Sequence, residues 1–290
     1  MILVTGAAGM SGEMIIRELS DQGVPVKALV RDPSRVPAFD KDLVEVFVGD
    51  MARRETLGEA LAGVDTALMI SSASEEMLET QCAFVDACSA AGVRYVVKYS
   101  GTELGFRRER FRFARMHAEI EEYLEQSGLA WTNFRPSGFM QIFMREMPGI
   151  ARTGELRLAA EDITLASVDA RDVARIAARI VTSSDQEGRT WVITGPEALS
   201  MDEIAGKFGE ALGRPVRYVP ISPEERRQDL LAAGLPPYFV DGLIEQVMAR
   251  LEAPRAKVDL TAHDRFGVRP TTFSEFLARA LPADGEAAAA

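Results

Sequence analysis

Gly6, Gly9 and Gly12 are spaced G-x-x-G-x-x-G between a short apolar run, Ile2-Leu3-Val4, and a stretch with helical spacing from Glu13 to Ser20. A strand, a glycine turn and a helix in that order are the context in which such a turn holds a dinucleotide pyrophosphate. Gly6 would permit the tight turn, Gly9 a close approach of backbone to phosphate, and Gly12 close packing of the helix on the sheet. Ala8, Met10 and Ser11 complete the turn, and the helix that follows offers free N–H groups and a positive dipole end. Away from that context, three glycines mark only a structural turn.

Further candidates follow at the ends of apolar runs. Val24 to Val30 reads as a second strand ending at Arg31-Asp32-Pro33-Ser34-Arg35. In a dinucleotide fold this strand end meets the adenosine ribose, where a carboxylate accepts from both ribose hydroxyls and an arginine favours a 2′-phosphate. Arg31, with Arg35 as a second charge, is expected to read that phosphate and so to select NADP(H) over NAD(H); the alternative is a pair of solvated loop arginines. Leu43 to Val48 ends at Gly49-Asp50-Met51. Asp50 can accept from an adenine amino group with Met51 packed on the ring, or it can cap the helical segment near Arg53. Thr66 to Ile70 runs into Ser71 and Ser72, small enough to let backbone pass close to the nicotinamide ribose.

These residues need a frame. Helices are expected over 56–61 and 75–91, the second stopped by Gly92, with strands over 94–99 and 129–134. A basic run from Arg107 to Arg115 reads as the solvated face of a helix that continues to Gln126 and stops at Gly128. Strand and helix alternate with short connections, the pattern of a doubly wound parallel sheet, an α/β fold of Rossmann type. Short strands follow over 155–159 and 163–168, then a helix over 170–182 and a strand over 190–193. Beyond Gly195-Pro196 the composition shifts. Ser200 and Glu203 have the spacing of a capping box opening a helix to Leu212. A strand over 216–219 and helices over 223–233, 238–251 and 272–281 complete a smaller, mostly helical C-terminal lobe. The expected division is 1–152 plus 163–195 for the nucleotide-binding domain and 153–162 plus 196–290 for the lobe.

The 290 residues carry 33 Lys+Arg against 44 Asp+Glu, a net charge of −11. That balance disfavours nucleic acid and anionic membrane as partners. No apolar run is long enough to span a bilayer, and the N-terminus lacks the pattern of a signal peptide. Cys82 and Cys88, six apart on one helix, do not face each other and read as reduced thiols of a cytoplasmic protein. His117 and His263 are far apart, so no zinc site is expected. The closing A-A-A-A reads as a frayed tail.

The chain resembles the atypical short-chain dehydrogenase/reductase superfamily, in particular its NmrA-like branch. The resemblance rests on T-G-A-A-G-M-S-G at 5–12, A-L-V-R-D-P at 28–33, G-D-M at 49–51 and H-A-E-I-E-E-Y-L-E-Q-S-G at 117–128. It continues with F-R-P-S-G-F at 134–139 and S-V-D-A-R-D-V-A-R at 167–175, covering nearly the whole chain. The branch includes NAD(P)H-dependent quinone, azo-dye and triphenylmethane-dye reductases, and NADP-sensing regulators that do no chemistry. The resemblance implies an NADP(H)-binding oxidoreductase, with Ser100 in the place of the superfamily's site serine and Phe139 in the position that packs on the nicotinamide.

One departure bears on the chemistry. Where the superfamily usually carries Y-x-x-x-K, this chain has Phe113-Ala114-Arg115-Met116-His117. Phe113 has no hydroxyl to pass a proton, so alcohol–ketone interconversion by that pair is not expected. His117, whose unperturbed pKa is about 6.5, can bond the nicotinamide ribose or supply a proton; it can equally be a satisfied core residue.

The expected activity is therefore NADPH-dependent hydride transfer to an acceptor that needs little acid help: a quinone, a dye or a related aromatic. His117 and Ser100 are the candidate catalytic residues, and Phe139, Met140, Phe143, Tyr238 and Phe239 the candidate walls of the acceptor cleft. The protein would be a monomer or homodimer acting on a small aromatic molecule. The alternatives are a non-catalytic NADP(H) sensor acting through a protein partner, and a pathway-specific reductase or isomerase using His117.

Overall fold

The computed structural model describes residues 1–101 and 111–281. Residues 107–110 of the basic run and the closing alanines lie outside the described residues.

The chain begins with β1 (Ile2–Val4), α1 (Met10–Asp21), β2 (Val26–Val30), β3 (Val44–Val48), α2 (Gly58–Leu61), β4 (Thr66–Met69), α3 (Met77–Ala91) and β5 (Tyr95–Tyr99). It continues with α4 (Arg112–Gln126), β6 (Ala130–Pro136), α5 (Met147–Thr153), β7 (Glu155–Leu158), β8 (Thr164–Leu165), α6 (Ala170–Thr182) and β9 (Arg189–Ile193). The last elements are β10 (Leu199–Ser200), α7 (Met201–Leu212), β11 (Arg217–Pro220), α8 (Pro223–Ala232), α9 (Pro237–Glu252), α10 (Thr261–Phe266) and α11 (Phe273–Ala280).

One seven-stranded sheet runs in the order β3-β2-β1-β4-β5-β6-β9. From β3 to β6 every pair is parallel. β1, β2 and β4 are buried along their whole length, which is why they are mainly apolar; Lys27 on β2 is the charged exception, its amine donating to the carbonyls of Glu59 and Ala62. The chain leaves β1 for β2 on one side and takes up β4 on the other. That reversal is the topological switch point of a Rossmann-type fold, where ligands settle outside the carboxyl ends of the strands.

Contacts divide the chain into two compact units. The first holds residues 1–101, 113–136 and 173–192, and so nearly all of the large sheet; the second holds 111–112, 137–172 and 193–281. Residues 137–152, 163–172 and 193–195, grouped with the first domain from the sequence, fall in the second unit. The local reason is that Val168 bridges Phe139, while Asp169 accepts from Gln141 at 2.7 Å and pairs with Arg279.

The second unit has two small ribbons, β7–β11 parallel and β8–β10 antiparallel, and is otherwise helical. Its core is aromatic: Phe273 meets Phe143, Phe208 and Phe276 edge-on at centroid distances of 5.3, 5.9 and 5.9 Å. Ser200 and Glu203 form the expected capping box on α7, and Thr272 with Glu275 forms another on α11. A 3-10 segment, Met140–Glu146, and α5 fill a stretch whose sequence signals no helix. Among the described residues no helix is long and apolar enough to cross a membrane.

Candidate functional site

The first unit has a cleft of about 790 Å³ at the carboxyl ends of β1, β2 and β4. The loops after β1, β2, β3 and β4 form it, and each is set by local chemistry.

The glycine turn comes first. α1 starts at Met10, three residues earlier than its apolar spacing indicates, with Gly9 as N-cap and no side-chain cap. The first intrahelical bond is Glu13 N–H to Gly9 O at 2.9 Å, so the N–H groups of Met10, Ser11 and Gly12 have no partner within the helix. Gly6 has φ +61°, the left-handed region. A Cβ on Gly12 would lie 2.3 Å from the Gly6 carbonyl oxygen. Gly12 is thus needed for packing of the helix on its own turn, where the sequence reading assigned it to packing on the sheet. Thr5, 0% exposed, clamps the turn to the end of β4: its hydroxyl donates to Ile70 O and accepts from Ile70 N–H, both at 2.7 Å.

The second loop follows β2. Arg31 and Arg35 line the cleft, exposed, and neither has an ion-pair partner among the described residues. Asp32 between them is turned onto its own loop, accepting from the backbone N–H and hydroxyl of Ser34 at 2.9 and 2.6 Å. Those bonds hold its carboxyl below the ordinary value.

The third wall joins the ends of β3 and β4. Asp50 accepts from Ala52 N–H at 3.0 Å, an Asx-type turn, and its own N–H donates to Thr56 Oγ1 at 2.9 Å. Met51 is buried in the cleft wall. Ser71 and Ser72 line the opposite side. Gln81, fully buried on α3, donates to Ser71 Oγ at 2.7 Å. The cleft therefore gathers Gly6, Ala8, Gly9, Met10, Ser11, Gly12, Arg31, Arg35, Asp50, Met51, Ser71 and Ser72. His117 and Phe139 are not part of its lining. A dinucleotide fits what is present: unbonded N–H groups for a diphosphate, guanidinium groups for a further phosphate, and an apolar wall for a base.

His117 is half-buried on α4, one turn after the buried Phe113. Its Nδ1 lies 2.9 Å from the Nζ of Lys98, a residue without an assigned role in the sequence reading. Burial and the charges of Lys98 and Arg135 push the imidazole well below its ordinary pKa. Lys98 is 0% exposed and donates to Tyr99 O at 2.8 Å; burial pulls its amine down to about 7. A lysine inside the otherwise apolar and aromatic strand Tyr95–Tyr99 was the available signal. Ser100 is buried, and its Oγ has no partner among the described residues. Tyr99 points elsewhere, to Ser11 Oγ at 3.3 Å.

The proposed acceptor walls lie in the second unit. Met140 and Phe143, 1% and 2% exposed, belong to its core. Phe139 is half-buried beside its bridge to Val168. Tyr238 and Phe239 are half-buried on α9, with the Arg112 guanidinium 4.6 Å from the Tyr238 ring centroid. His263 is fully enclosed between the carbonyls of Val268 and Thr194, at 2.9 and 3.0 Å, a structural placement.

Comparison with known proteins gives the same frame. The chain is 32% identical over 246 residues to an NAD(P)H azoreductase of Xenophilus azovorans, covering 84% of this chain and 85% of that one. It is 32% identical over 278 residues to a (4-alkanoyl-5-oxo-2,5-dihydrofuran-3-yl)methyl phosphate reductase of Streptomyces griseus, covering 96% and 97%. The crystal structure of an NADPH-dependent quinone oxidoreductase of Escherichia coli complexed with NADPH superposes with a TM-score of 0.86 at 26% identity, covering 96% and 99%. The model of the NmrA-like family matches residues 1–277, and the chain belongs to that family.

Proposed function

We propose that this protein is an NADPH-dependent reductase that acts on an electron-poor conjugated acceptor without a tyrosine–lysine pair. The observation that carries this reading is the cleft at the switch point, with unpartnered N–H groups at one end and Arg31 and Arg35 at the other. The reduced cofactor supplies a hydride when bound.

The chain's own residues do the rest. The turn from Gly6 to Gly12 holds the diphosphate on the N-terminus of α1. Arg31 and Arg35 hold a 2′-phosphate by charge-assisted hydrogen bonds. Asp50 faces the adenine edge, Met51 its ring, and Ser71 and Ser72 the second ribose. Ser100 offers an unpaired hydroxyl to orient an acceptor oxygen, and His117 is the proton source nearest to it in role.

The relatives support the acceptor class. One is named for an azo bond, one for a quinone and one for an unsaturated lactone ring carrying a further acyl group. All three are π-systems depleted of electrons that stabilise the charge they receive, and so ask little of an acid. A second reading has its own support: the lactone phosphate reductase is matched over 96% of this chain, which favours one dedicated substrate over a broad set of dyes.

The test is oxidation of NADPH, with NADH in parallel, by the purified protein against quinones, azo dyes, triphenylmethane dyes and an acylated unsaturated lactone phosphate. Cofactor binding is titrated in the same samples. Saturable turnover with one class identifies the acceptor. Tight NADP(H) binding with no turnover on any of them replaces the reductase by a sensor.

A further inference from the structure

A charged side chain in the middle of a buried strand needs a reason, because an amine without water is costly to charge. Lys98 stands between Val97 and Tyr99 on β5, fully enclosed. Its Nζ has two close partners, the carbonyl of Tyr99 at 2.8 Å and Nδ1 of His117 at 2.9 Å. The charged and titratable groups around it are Cys82 on α3, His117 and Glu121 on α4, and Arg135 on β6. Glu121 and Arg135 are satisfied by each other in a two-pronged ion pair, which leaves His117 as the partner of Lys98.

We propose that Lys98 is the positioning residue of this site: its amine holds Nδ1 of His117 so that the ring carries its proton on Nε2, and it stands behind the ring as a proton reserve. The argument is one of donors and acceptors. An ammonium has only donors, so Nδ1 must accept from it, and a neutral ring then bears its hydrogen on Nε2. Burial draws the Lys98 amine down to about 7 and, with the Lys98 charge, keeps the imidazole uncharged. The ammonium is therefore the group that can give up a proton near neutrality.

This deepens the reductase reading and rests on it for its last step. When Nε2–H gives its proton to the anion of the reduced acceptor, Nδ1 takes a proton from the Lys98 ammonium. The N–H bond on Nε2 and one N–H bond of the ammonium break; an N–H bond on Nδ1 and a bond from hydrogen to the acceptor form. The ring stays neutral and Lys98 is left as a free amine; when Nε2 regains a proton from solvent, Nδ1 returns its own to the enclosed Lys98 amine, and both groups are as they began. The usual Y-x-x-x-K helix places its lysine on the helix; here the amine comes from the neighbouring strand and works through the histidine.

The experiment is ¹⁵N spectroscopy of the histidine rings in the unliganded protein across pH, with His117→Gln to separate its signals from those of His263. Just below about pH 7, where Lys98 is charged and the lowered imidazole is not, the His117 ring should be neutral with its hydrogen on Nε2. Above it the two tautomers should mix as Lys98 loses its charge. In Lys98→Met the ring should lose the Nε2 preference and titrate nearer its ordinary value. A tautomer that does not respond to pH in the wild type overturns the proposal, whether or not Lys98→Met folds; so do identical spectra for Lys98→Met and wild type. Turnover is read separately. Undiminished turnover by His117→Gln overturns the relay while leaving the tautomer result standing, whereas its loss together with pH-dependent tautomers supports both.

Discussion

Asp32 accepts two hydrogen bonds from Ser34, at 2.9 Å from the backbone N–H and 2.6 Å from the hydroxyl. An acidic residue at the end of β2 is the usual mark of a site for an unphosphorylated ribose. Here that carboxylate caps its own 3-10 turn, Pro33–Arg35, and the guanidinium groups on either side of it remain in the cleft. Arg31→Ala should weaken NADPH binding by roughly tenfold or more, the loss of one charge-assisted contact, and leave NADH binding nearly unchanged. Titration of both cofactors by fluorescence checks this. Equal losses would remove the 2′-phosphate from Arg31. The melting temperature should not move, because Arg31 is exposed and without an ion-pair partner among the described residues.

The glycines of the first turn should separate by what surrounds them. A Cβ on Gly12 meets backbone at 2.3 Å, whereas one on Gly9 meets nothing closer than 3.3 Å. Gly12→Ala should therefore shift the turn and destabilise the fold by about 1–3 kcal/mol, an overpacking cost. Gly9→Ala should fold and melt nearly as the wild type and still bind NADPH less well, since its added methyl stands where backbone must approach the diphosphate. Thermal melts with and without NADPH distinguish the two. A stable Gly12→Ala with full affinity would contradict the geometry.

The parts of this site that were legible in the sequence are those written in local chemistry. β1 to β4 are short, mainly apolar runs, stopped by glycine or small residues after β1, β3 and β4 and by Arg31-Asp32-Pro33 after β2, and the cleft loops begin where those runs end, so both strands and lining could be read in order. The contact of Lys98 with His117 was not legible, because nothing local says that residues 98 and 117 meet; it is a contact between β5 and α4. Met140 and Phe143 are ambiguous for a different reason. An apolar side chain after a strand suits a cleft wall or a core equally, and only the aromatic cluster around Phe273 decides it. The helix α5 was hidden by Pro148 and Gly149 within seven residues, and α10 by its six-residue length. Such short helices are held by packing, not by propensity.

Thr5 offers a test of how the cleft is held open at its base. Its hydroxyl satisfies both the N–H and the C=O of Ile70 from a fully buried position. Thr5→Val keeps the shape and removes both bonds, leaving a buried donor without its partner, which costs about 1–3 kcal/mol. The expected outcome is a lower denaturation midpoint together with weaker NADPH binding, since Ile70 leads into Ser71 and Ser72. Thr5→Ser should restore most of both. If Thr5→Val lowers stability and leaves affinity intact, the clamp serves the sheet alone.

Lys98 makes a prediction about stability that is independent of any activity. In the unfolded chain its amine has the ordinary value of 10.5, and burial lowers it to about 7 in the folded protein. Between those values the unfolded state binds more protons than the folded one, so stability rises with pH across that window. Below about pH 7 both states are protonated and the full penalty of burying the charge is present; above about pH 10.5 it has gone. Lys98→Met, of similar volume and without the charge, should therefore be more stable than the wild type at neutral pH and below. That advantage should shrink as the pH is raised toward 10.5. Urea denaturation of both proteins at a series of pH values from about 7.5 upward, where an imidazole of ordinary or lowered pKa is neutral in both, measures the difference directly. A Lys98→Met protein that is less stable than wild type by the same amount at every pH would mean that the amine is held charged throughout by its neighbours, Glu121 first among them.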